Sequence, residues 1–158
     1  MQRFKITKNG YNKLKQQLDE LVNVERPKIS QAIGEAIALG DLSENAEYQY
    51  SKDRQRVVES SIAVLTEKLS NADIVDTTKL SGDVVDFGAT VLLVDEDTEK
   101  KIKYKLLSEI EADSSKNIIS VTSPIGKALM GGKVGDSIEI IVPSGVKNFE
   151  ILAVEWVE

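Results

Sequence analysis

The 158-residue chain contains no cysteine and no histidine. The lack of cysteine excludes disulfide bonds, thiolate nucleophiles and thiolate-bound zinc. The lack of histidine excludes a Ser-His-Asp triad, imidazole metal ligands and the usual general base near neutral pH. Any catalytic chemistry must therefore use carboxylates, lysine, tyrosine, hydroxyl groups or a metal ion held elsewhere.

Long apolar segments are also missing. No run approaches the roughly 18 apolar residues that suggest a transmembrane helix, and the first residues, MQRFKITKNGYNKLKQQ, lack the apolar core of a signal peptide. We therefore expect a cytoplasmic protein without membrane association. The chain is 41% hydrophobic and 29% charged, which is typical of a folded protein. Its length suits one domain or two small units.

A basic surplus is absent as well. Residues 1–75 contain 11 Lys/Arg and 11 Asp/Glu, whereas residues 76–158 contain 9 and 15, so the second half carries the whole net charge of −6. Binding to duplex DNA usually requires a basic surface, because phosphate contacts dominate the affinity. Direct DNA binding is therefore not expected, although a local basic patch could contact RNA within a larger assembly.

Residues 1–75 show the periodicity of two helices. Leu14, Leu18 and Leu21 recur at helical spacing. The stripe then shifts by one residue around Pro27, which predicts a bend or a local change of winding near residues 22–28. After this shift, the apolar stripe continues through Val22, Ile29, Ile33 and Ala36. A second stripe keeps a 3-4 alternation that is typical of a heptad seam; its residues are Tyr48, Ser51, Gln55, Val58, Ile62, Leu65, Leu69 and Ala72.

Two such helices joined by a short turn predict an antiparallel coiled-coil hairpin, roughly 40 Å long, with its tip at residues 40–44. After a linker at residues 76–83, the period changes. The segments VVDFGATVLLVD, KKIKYKLL, NIISVTS, DSIEIIV and NFEILAVEWV are predicted strands, and a short helix is predicted between Ser123-Pro124 and Gly131-Gly132. The predicted class is α+β, with a hairpin at 1–75 and a small, mostly antiparallel sheet domain at 84–158.

The tip segment LGDLSENAEYQY contains two acids, Asp41 and Glu44, whose role has two interpretations. The structural one is a capping box, with Asp41 as the N-cap of the second helix, Glu44 three residues on and Gly40 ending the first helix. The residue pattern by itself favours the capping-box interpretation. The functional one is a half-site for Mg²⁺, because carboxylates are suitable ligands and two of them could hold only one face of the ion. A second macromolecule would have to supply the remaining ligands.

The tip sequence GDLSENAEY resembles that of the bacterial Gre transcript-cleavage factors, a family of transcription elongation factors, and the GreA branch most closely. The resemblance extends over the whole chain, through EKLSNADIVD, FGATV and ISVTSPIGKALMGGKVGD. It implies an FKBP-like second domain that docks on the rim of the secondary channel of RNA polymerase. It also implies a hairpin that enters this channel and stimulates the polymerase's own cleavage of backtracked RNA, without the chain being an enzyme itself.

The resemblance also implies residue roles. Asp41 and Glu44 match the acids that position the second Mg²⁺ of the polymerase active site, an ion that the isolated chain does not bind tightly. Ser123 and Pro124 fall in the docking loop. Lys52 and Arg56 are candidates for contact with the extruded RNA 3′ end. The free protein is expected to be a monomer.

Several alternatives remain open from the residues alone. Lys52 and Arg56 suit a solvated helix surface, paired with Asp53 or Glu59. The hairpin also suits a secondary-channel inhibitor without cleavage activity, although relatives of that kind have a denser acidic tip. A prolyl isomerase would need an aromatic pocket, and we expect the aromatic residues of the second half to be core residues: Phe87, Tyr104, Phe149 and Trp156. A freestanding nuclease would need more metal ligands than two carboxylates.

Overall fold

The computed structural model describes residues 2–156 and divides the chain into two compact units. The helical unit contains Tyr11–Ala72, and the β-rich unit contains Phe4–Gly10 together with the chain from Asp73 onwards. The predicted α+β class, with a helical hairpin followed by a small sheet and one short helix, is confirmed. The segment Phe4–Gly10 belongs to the β-rich unit, although it lies at the other end of the chain.

The first arm of the hairpin changes its winding where the hydrophobic stripe shifts. Helix α1 spans Lys8–Glu20, a π-helix spans Leu21–Glu25, and α2 spans Arg26–Ala38. The second arm is the single 25-residue helix α3, Ala46–Ser70. Pro27 lies in the first turn of α2, where its missing N–H is tolerated. The predicted change of winding near residues 22–28 is therefore confirmed as a π-helical segment that ends two residues before this proline.

The predicted heptad seam of the second arm is confirmed from Tyr48 to Leu69. Each of these seam residues is buried or half-buried, and Ser51 and Val58 are the most enclosed. The last predicted seam residue, Ala72, lies beyond the end of α3, in a strand. On the first arm, the buried hydrophobic side chains are Leu14, Ile29 and Ala36. Helices α2 and α3 pack against each other along these stripes.

Ion pairs on the surface of the hairpin join the two arms. Arg26 donates to both carboxylate oxygens of Glu59 at 2.7 Å, and Arg54 lies 3.6 Å from Glu25. These pairs are exposed, so water screens them and they contribute more to register than to stability. Within residues 2–156, each helix is too short or too polar to cross a lipid bilayer.

The β-rich unit contains a two-stranded and a five-stranded sheet. Strands β1 (Phe4–Thr7) and β2 (Ala72–Val75) pair with each other, a pairing that the sequence analysis missed. The larger sheet has the order β5-β4-β3-β7-β6 and contains all five predicted strands. They are β3 (Thr90–Asp95), β4 (Lys101–Leu107), β5 (Ile118–Ser120), β6 (Ser137–Val142) and β7 (Gly145–Glu155). The sheet is mostly antiparallel, and only β4 and β5 run parallel.

One face of the five-stranded sheet forms the core under the short helix α4, Pro124–Leu129. Leu129 is fully buried, and a side chain on Gly126 would overlap the carbonyl oxygen of Ser120, so α4 lies very close to the end of β5. The buried core cluster consists of Val85, Ala89, Val91, Leu93, Leu106, Leu129, Ile138, Ile140 and Ile151. The predicted short helix is thus confirmed as the cover of this core.

The aromatic residues of the β-rich unit belong to the core, as predicted. Phe87 is buried, and Tyr104, Phe149 and Trp156 pack against the core cluster. The Trp156 indole N–H donates to the carbonyl of Gly82 at 2.8 Å, which satisfies its polar atom at the core's edge. Their positions are explained by packing and do not favour prolyl isomerase activity.

Candidate functional site

The tip turn, residues 39–45, connects α2 to α3 and presents its acids to solvent. Asp41 and Glu44 are both exposed. Leu39 and Tyr50, close to them in the chain, are each 68% exposed. Gly40 has a φ of 121°, which suits a residue without a side chain just after the end of α2. The tip therefore combines two accessible carboxylates with accessible apolar surface.

The N-cap of α3 is Asn45, so the predicted capping role of Asp41 and Glu44 is wrong. Asn45 has an extended backbone, and its side-chain oxygen accepts the N–H of Tyr48 at 3.0 Å. Asp41 lies four residues before this cap, because residues 42–44 form a turn and the helix begins only at Ala46. The acids are consequently not needed to begin the helix, which removes the main structural explanation for their presence.

Asn45 also joins the two arms of the hairpin. Its side-chain nitrogen donates to the carbonyl of Ala36 at 2.6 Å, in the last turn of α2. The same carbonyl also accepts the N–H of Leu39 at 3.1 Å. An amide can accept from one helix and donate to the other at the same time, whereas a carboxylate can only accept. The sequence analysis missed this residue; the available signal was an asparagine directly before the first helical residue.

Asp41 is held within the turn by Ser43. Its Oδ1 accepts both the Ser43 hydroxyl at 2.8 Å and the Ser43 N–H at 3.0 Å. The hydroxyl hydrogen bond, and then the backbone hydrogen bond, hold the pKa of Asp41 below the ordinary value for aspartate, against a small opposing effect of desolvation. Asp41 therefore stays ionised and oriented in an exposed turn.

The tip has the donor chemistry of an incomplete magnesium site. Asp41, Ser43 and Glu44 offer hard oxygen atoms, which Mg²⁺ prefers. Across the range that the structure describes, no three His, Cys, Asp or Glu side chains converge as a metal site. These residues are too few for a complete site, and a magnesium ion shared with a second macromolecule stays a prediction.

The two candidate RNA contacts are engaged in local hydrogen bonds. Lys52 is half-buried and donates to the side chain of Gln55 at 2.9 Å. Arg56 is 70% exposed and pairs with Asp53 at 2.5 Å. The pairing with Asp53 agrees with the solvated-surface interpretation. RNA contact by Lys52 and Arg56 stays a prediction.

The two candidate docking residues differ in what they do locally. Ser123 is the N-cap of α4: its hydroxyl oxygen accepts the N–H of Gly126 at 3.0 Å, and the hydroxyl donates to the Ser120 carbonyl at 2.6 Å. Pro124 is exposed at the start of α4. Ser123 thus shapes the loop, whereas Pro124 presents surface that a partner can contact.

Comparison with protein families gives two matches that together span nearly the whole chain. Residues 4–74 match the family model described as transcription elongation factor, N-terminal. Residues 80–156 match that described as transcription elongation factor, GreA/GreB, C-term. The border between the two models lies where the helical half of the sequence gives way to the β-rich half.

Individual relatives agree with these matches. The chain is 51% identical to transcription elongation factor GreA of Rhodopseudomonas palustris strain BisA53, over 100% of this chain and 99% of that protein. It is 49% identical to GreA of Bradyrhizobium sp. strain BTAi1, over 96% of each. A solved structure of GreA factor homolog 1 from Thermus thermophilus is 29% identical, covering 98% of this chain and 99% of that one, with a TM-score of 0.45. This score is too low to support an argument about shape.

Substitution of Asn45 tests whether its side-chain amide stabilises the connection between α2 and α3. We expect Asn45→Ala to lower the free energy of unfolding of the hairpin by about 1–2 kcal/mol through loss of the cap. We expect Asn45→Asp to be destabilising too, although Asp is normally an equally good cap, because a carboxylate cannot donate to the Ala36 carbonyl. Thermal unfolding followed by helical circular dichroism measures both. Wild-type stability of Asn45→Asp would show that the bond to Ala36 contributes nothing.

Substitution of Ser43 tests the cause of the Asp41 pKa shift. Ser43→Ala removes the larger of the two hydrogen bonds, so the Asp41 carboxyl should titrate at higher pH than in the wild type. The pKa should rise in the variant because the hydrogen bonds from Ser43 favour the ionised form of Asp41. Any stability that these bonds contribute to the wild type is lost as the pH falls through the lowered pKa. Carbon-detected NMR titration of the carboxyl group measures the midpoint. Ser60→Ala, on the exposed side of α3, is the control; an unchanged midpoint in Ser43→Ala would contradict the assignment.

Proposed function

Because the chain belongs to the GreA/GreB family of transcription elongation factors, we propose that it acts in the bacterial cytoplasm on RNA polymerase, as a transcript-cleavage factor. The hairpin enters the secondary channel, and the tip turn reaches the active site of a backtracked complex. There it stimulates the polymerase's own cleavage of the RNA 3′ end, which returns an arrested complex to elongation. The chain contributes side chains to this reaction and is not itself a nuclease.

The observation that supports this proposal is that Asp41 and Glu44 are exposed at the tip without a capping role. Asn45 performs the capping of α3, and the Ser43 hydroxyl and N–H keep Asp41 ionised. Both carboxylates are exposed to solvent, and α3 begins without either of them. Their placement is explained if they meet a cation inside a partner.

The partner must complete the site. A bound Mg²⁺ would supply positive charge for the scissile phosphate and a positioned water. The residues of this chain that would hold it are Asp41 and Glu44. Asp41 is preorganised by Ser43, whereas Glu44 has a longer side chain and more freedom to adjust. Such a division suits a shared site, in which one ligand is fixed and the other adapts to the partner.

The β-rich unit supplies the docking surface in this proposal. Pro124 and the loop before α4 contact the rim of the channel, while Ser123 keeps the loop in shape through its two hydrogen bonds. Lys52 and Arg56 flank the route of the extruded RNA. To contact phosphate, Arg56 must exchange Asp53 for the RNA, which is easy for a pair that water already screens.

Substitution of the tip acids tests the proposed function. Asp41→Asn and Glu44→Gln keep side-chain size and remove charge, so each should slow stimulated cleavage by about tenfold to 100-fold while polymerase affinity changes little. The assay measures RNA cleavage in stalled, backtracked complexes with Mg²⁺, and binding is measured separately. Glu47→Gln, an exposed acid in the first turn of α3, is the matched control and should retain stimulation.

The same assay distinguishes the alternatives. Binding without stimulation by the wild type would replace the proposal with that of a channel-blocking inhibitor. RNA cleavage by the purified chain alone would make it a nuclease. Loss of folding and binding together in the Asp41 and Glu44 variants would return these acids to a structural role.

Substitution of Pro124 tests the docking surface. Pro124→Ala should weaken polymerase affinity several-fold with little loss of stability, because Pro124 is exposed and alanine is well tolerated at the start of a helix. Ser123→Ala should weaken affinity and also destabilise the β-rich unit, because it removes the cap of α4. Unchanged affinity of Pro124→Ala in a competition binding assay would place the docking surface elsewhere.

A further inference from the structure

The first turn of α1 belongs to the β-rich unit and is held there by a carboxylate. Thr7 precedes α1, and its hydroxyl oxygen accepts the N–H of Gly10 at 3.1 Å, as an N-cap does. Thr7 in turn donates twice to Glu111, through its backbone N–H at 3.3 Å and through its hydroxyl. The Ser108 hydroxyl donates to the same carboxylate at 2.9 Å. Glu111 therefore accepts three hydrogen bonds, two of them from the cap of α1.

This arrangement is a capping box whose acid comes from a distant part of the chain. In a local capping box, a Glu or Gln at the third helical position accepts the backbone N–H of the N-cap. The third position of α1 is Gly10, which has no side chain. Glu111, 104 residues from Thr7 and in the turn after β4, takes that role. Its negative charge also favours the positive end of the helix dipole.

Gly10 is suited to this arrangement because it leaves room for Glu111. A Cβ atom built on Gly10 would overlap the Glu111 carboxylate, with its Cδ at 2.6 Å and its Cγ at 2.8 Å. The carboxylate is the end of a flexible side chain, but it cannot move aside without leaving Thr7 and Ser108. Gly10 and Glu111 are thus complementary: a side chain at one position excludes the other.

We propose that Glu111 is a positioning residue for the tip, an inference that rests on the proposed function. A local capping box would begin α1 equally well, but it would not bind the cap of α1 to the turn that follows β4. The acid at position 111 ties the start of α1 to the turn that follows β4. Because α1 continues from this turn into the hairpin, Glu111 fixes the first turn of the helix that leads towards the tip.

The test compares two disrupting variants with a matched glycine control. Gly10→Ala displaces the carboxylate, and Glu111→Gln keeps its shape but weakens its acceptance of three donors. Each should lower the saturating rate of stimulated cleavage by about tenfold, since small misplacements of reacting groups are costly. The dissociation constant for polymerase should change by less than about twofold, because the docking surface is untouched. Gly34→Ala, where a Cβ meets nothing within 4 Å, should match the wild type.

A double substitution separates positioning from a general effect on folding. Glu111→Asp withdraws the carboxylate from Thr7, so this substitution by itself should lower the rate of stimulated cleavage. When Gly10→Ala is combined with Glu111→Asp, the shorter acid leaves space for the new methyl group. The double variant should therefore stimulate cleavage at a higher rate than Gly10→Ala alone. Hydrogen exchange of the Thr7 and Gly10 amides, measured without polymerase, should be faster in Glu111→Gln than in the wild type.

The outcomes separate this inference from the proposed function. If the wild type stimulates cleavage and Gly10→Ala behaves like Gly34→Ala, the positioning role of Glu111 is wrong and the proposed function stands. Equal losses of rate and affinity in Glu111→Gln, with no rescue in the double variant, would also overturn it. If the wild type does not stimulate cleavage, the proposed function fails first and the positioning role fails with it.

Discussion

The tip depends on two hydrogen bonds that the side-chain amide of Asn45 makes. This amide accepts from the first turn of α3 and donates to the last turn of α2, so one residue ends the turn and joins both arms. Because Asn45 satisfies the helix terminus, Asp41 and Glu44 remain available to a partner. A hairpin that used its acids as caps would have to break those caps in order to bind a cation.

The packing near the tip explains why a hydrogen bond is needed there. Ala36 and Ser51 are the buried residues of this end of the hairpin, and both are small. Small residues allow two helices to approach closely, but they bury little apolar surface, and the hydrophobic contribution scales with that surface. The first buried apolar residue of α3 is Val58, farther from the tip. The tip is consequently slender, and it is held more by polar bonds than by packing.

The two ends of the first arm show how local capping patterns can mislead. At the tip, Asp41 and Glu44 have the spacing of a capping box, yet Asn45 is the cap. At Thr7, the local pattern lacks an acid, yet Glu111 supplies one from the β-rich unit. In both places the hydrogen-bonding need of the helix terminus is met. Which side chain meets it depends on the path of the chain around the terminus.

The sequence by itself determined the two hairpin arms, the seam, the change of winding near Pro27, the five strands of the larger sheet and the exposed acids of the tip. These features follow from periodicity and backbone preferences, which act between residues close in sequence. Only the tertiary structure decided the pairing of β1 with β2, the parallel pair β4 and β5, the bond from Asn45 to Ala36 and the cap supplied by Glu111. Each of these joins groups that are separated along the chain, and their partners exist only once the chain has folded.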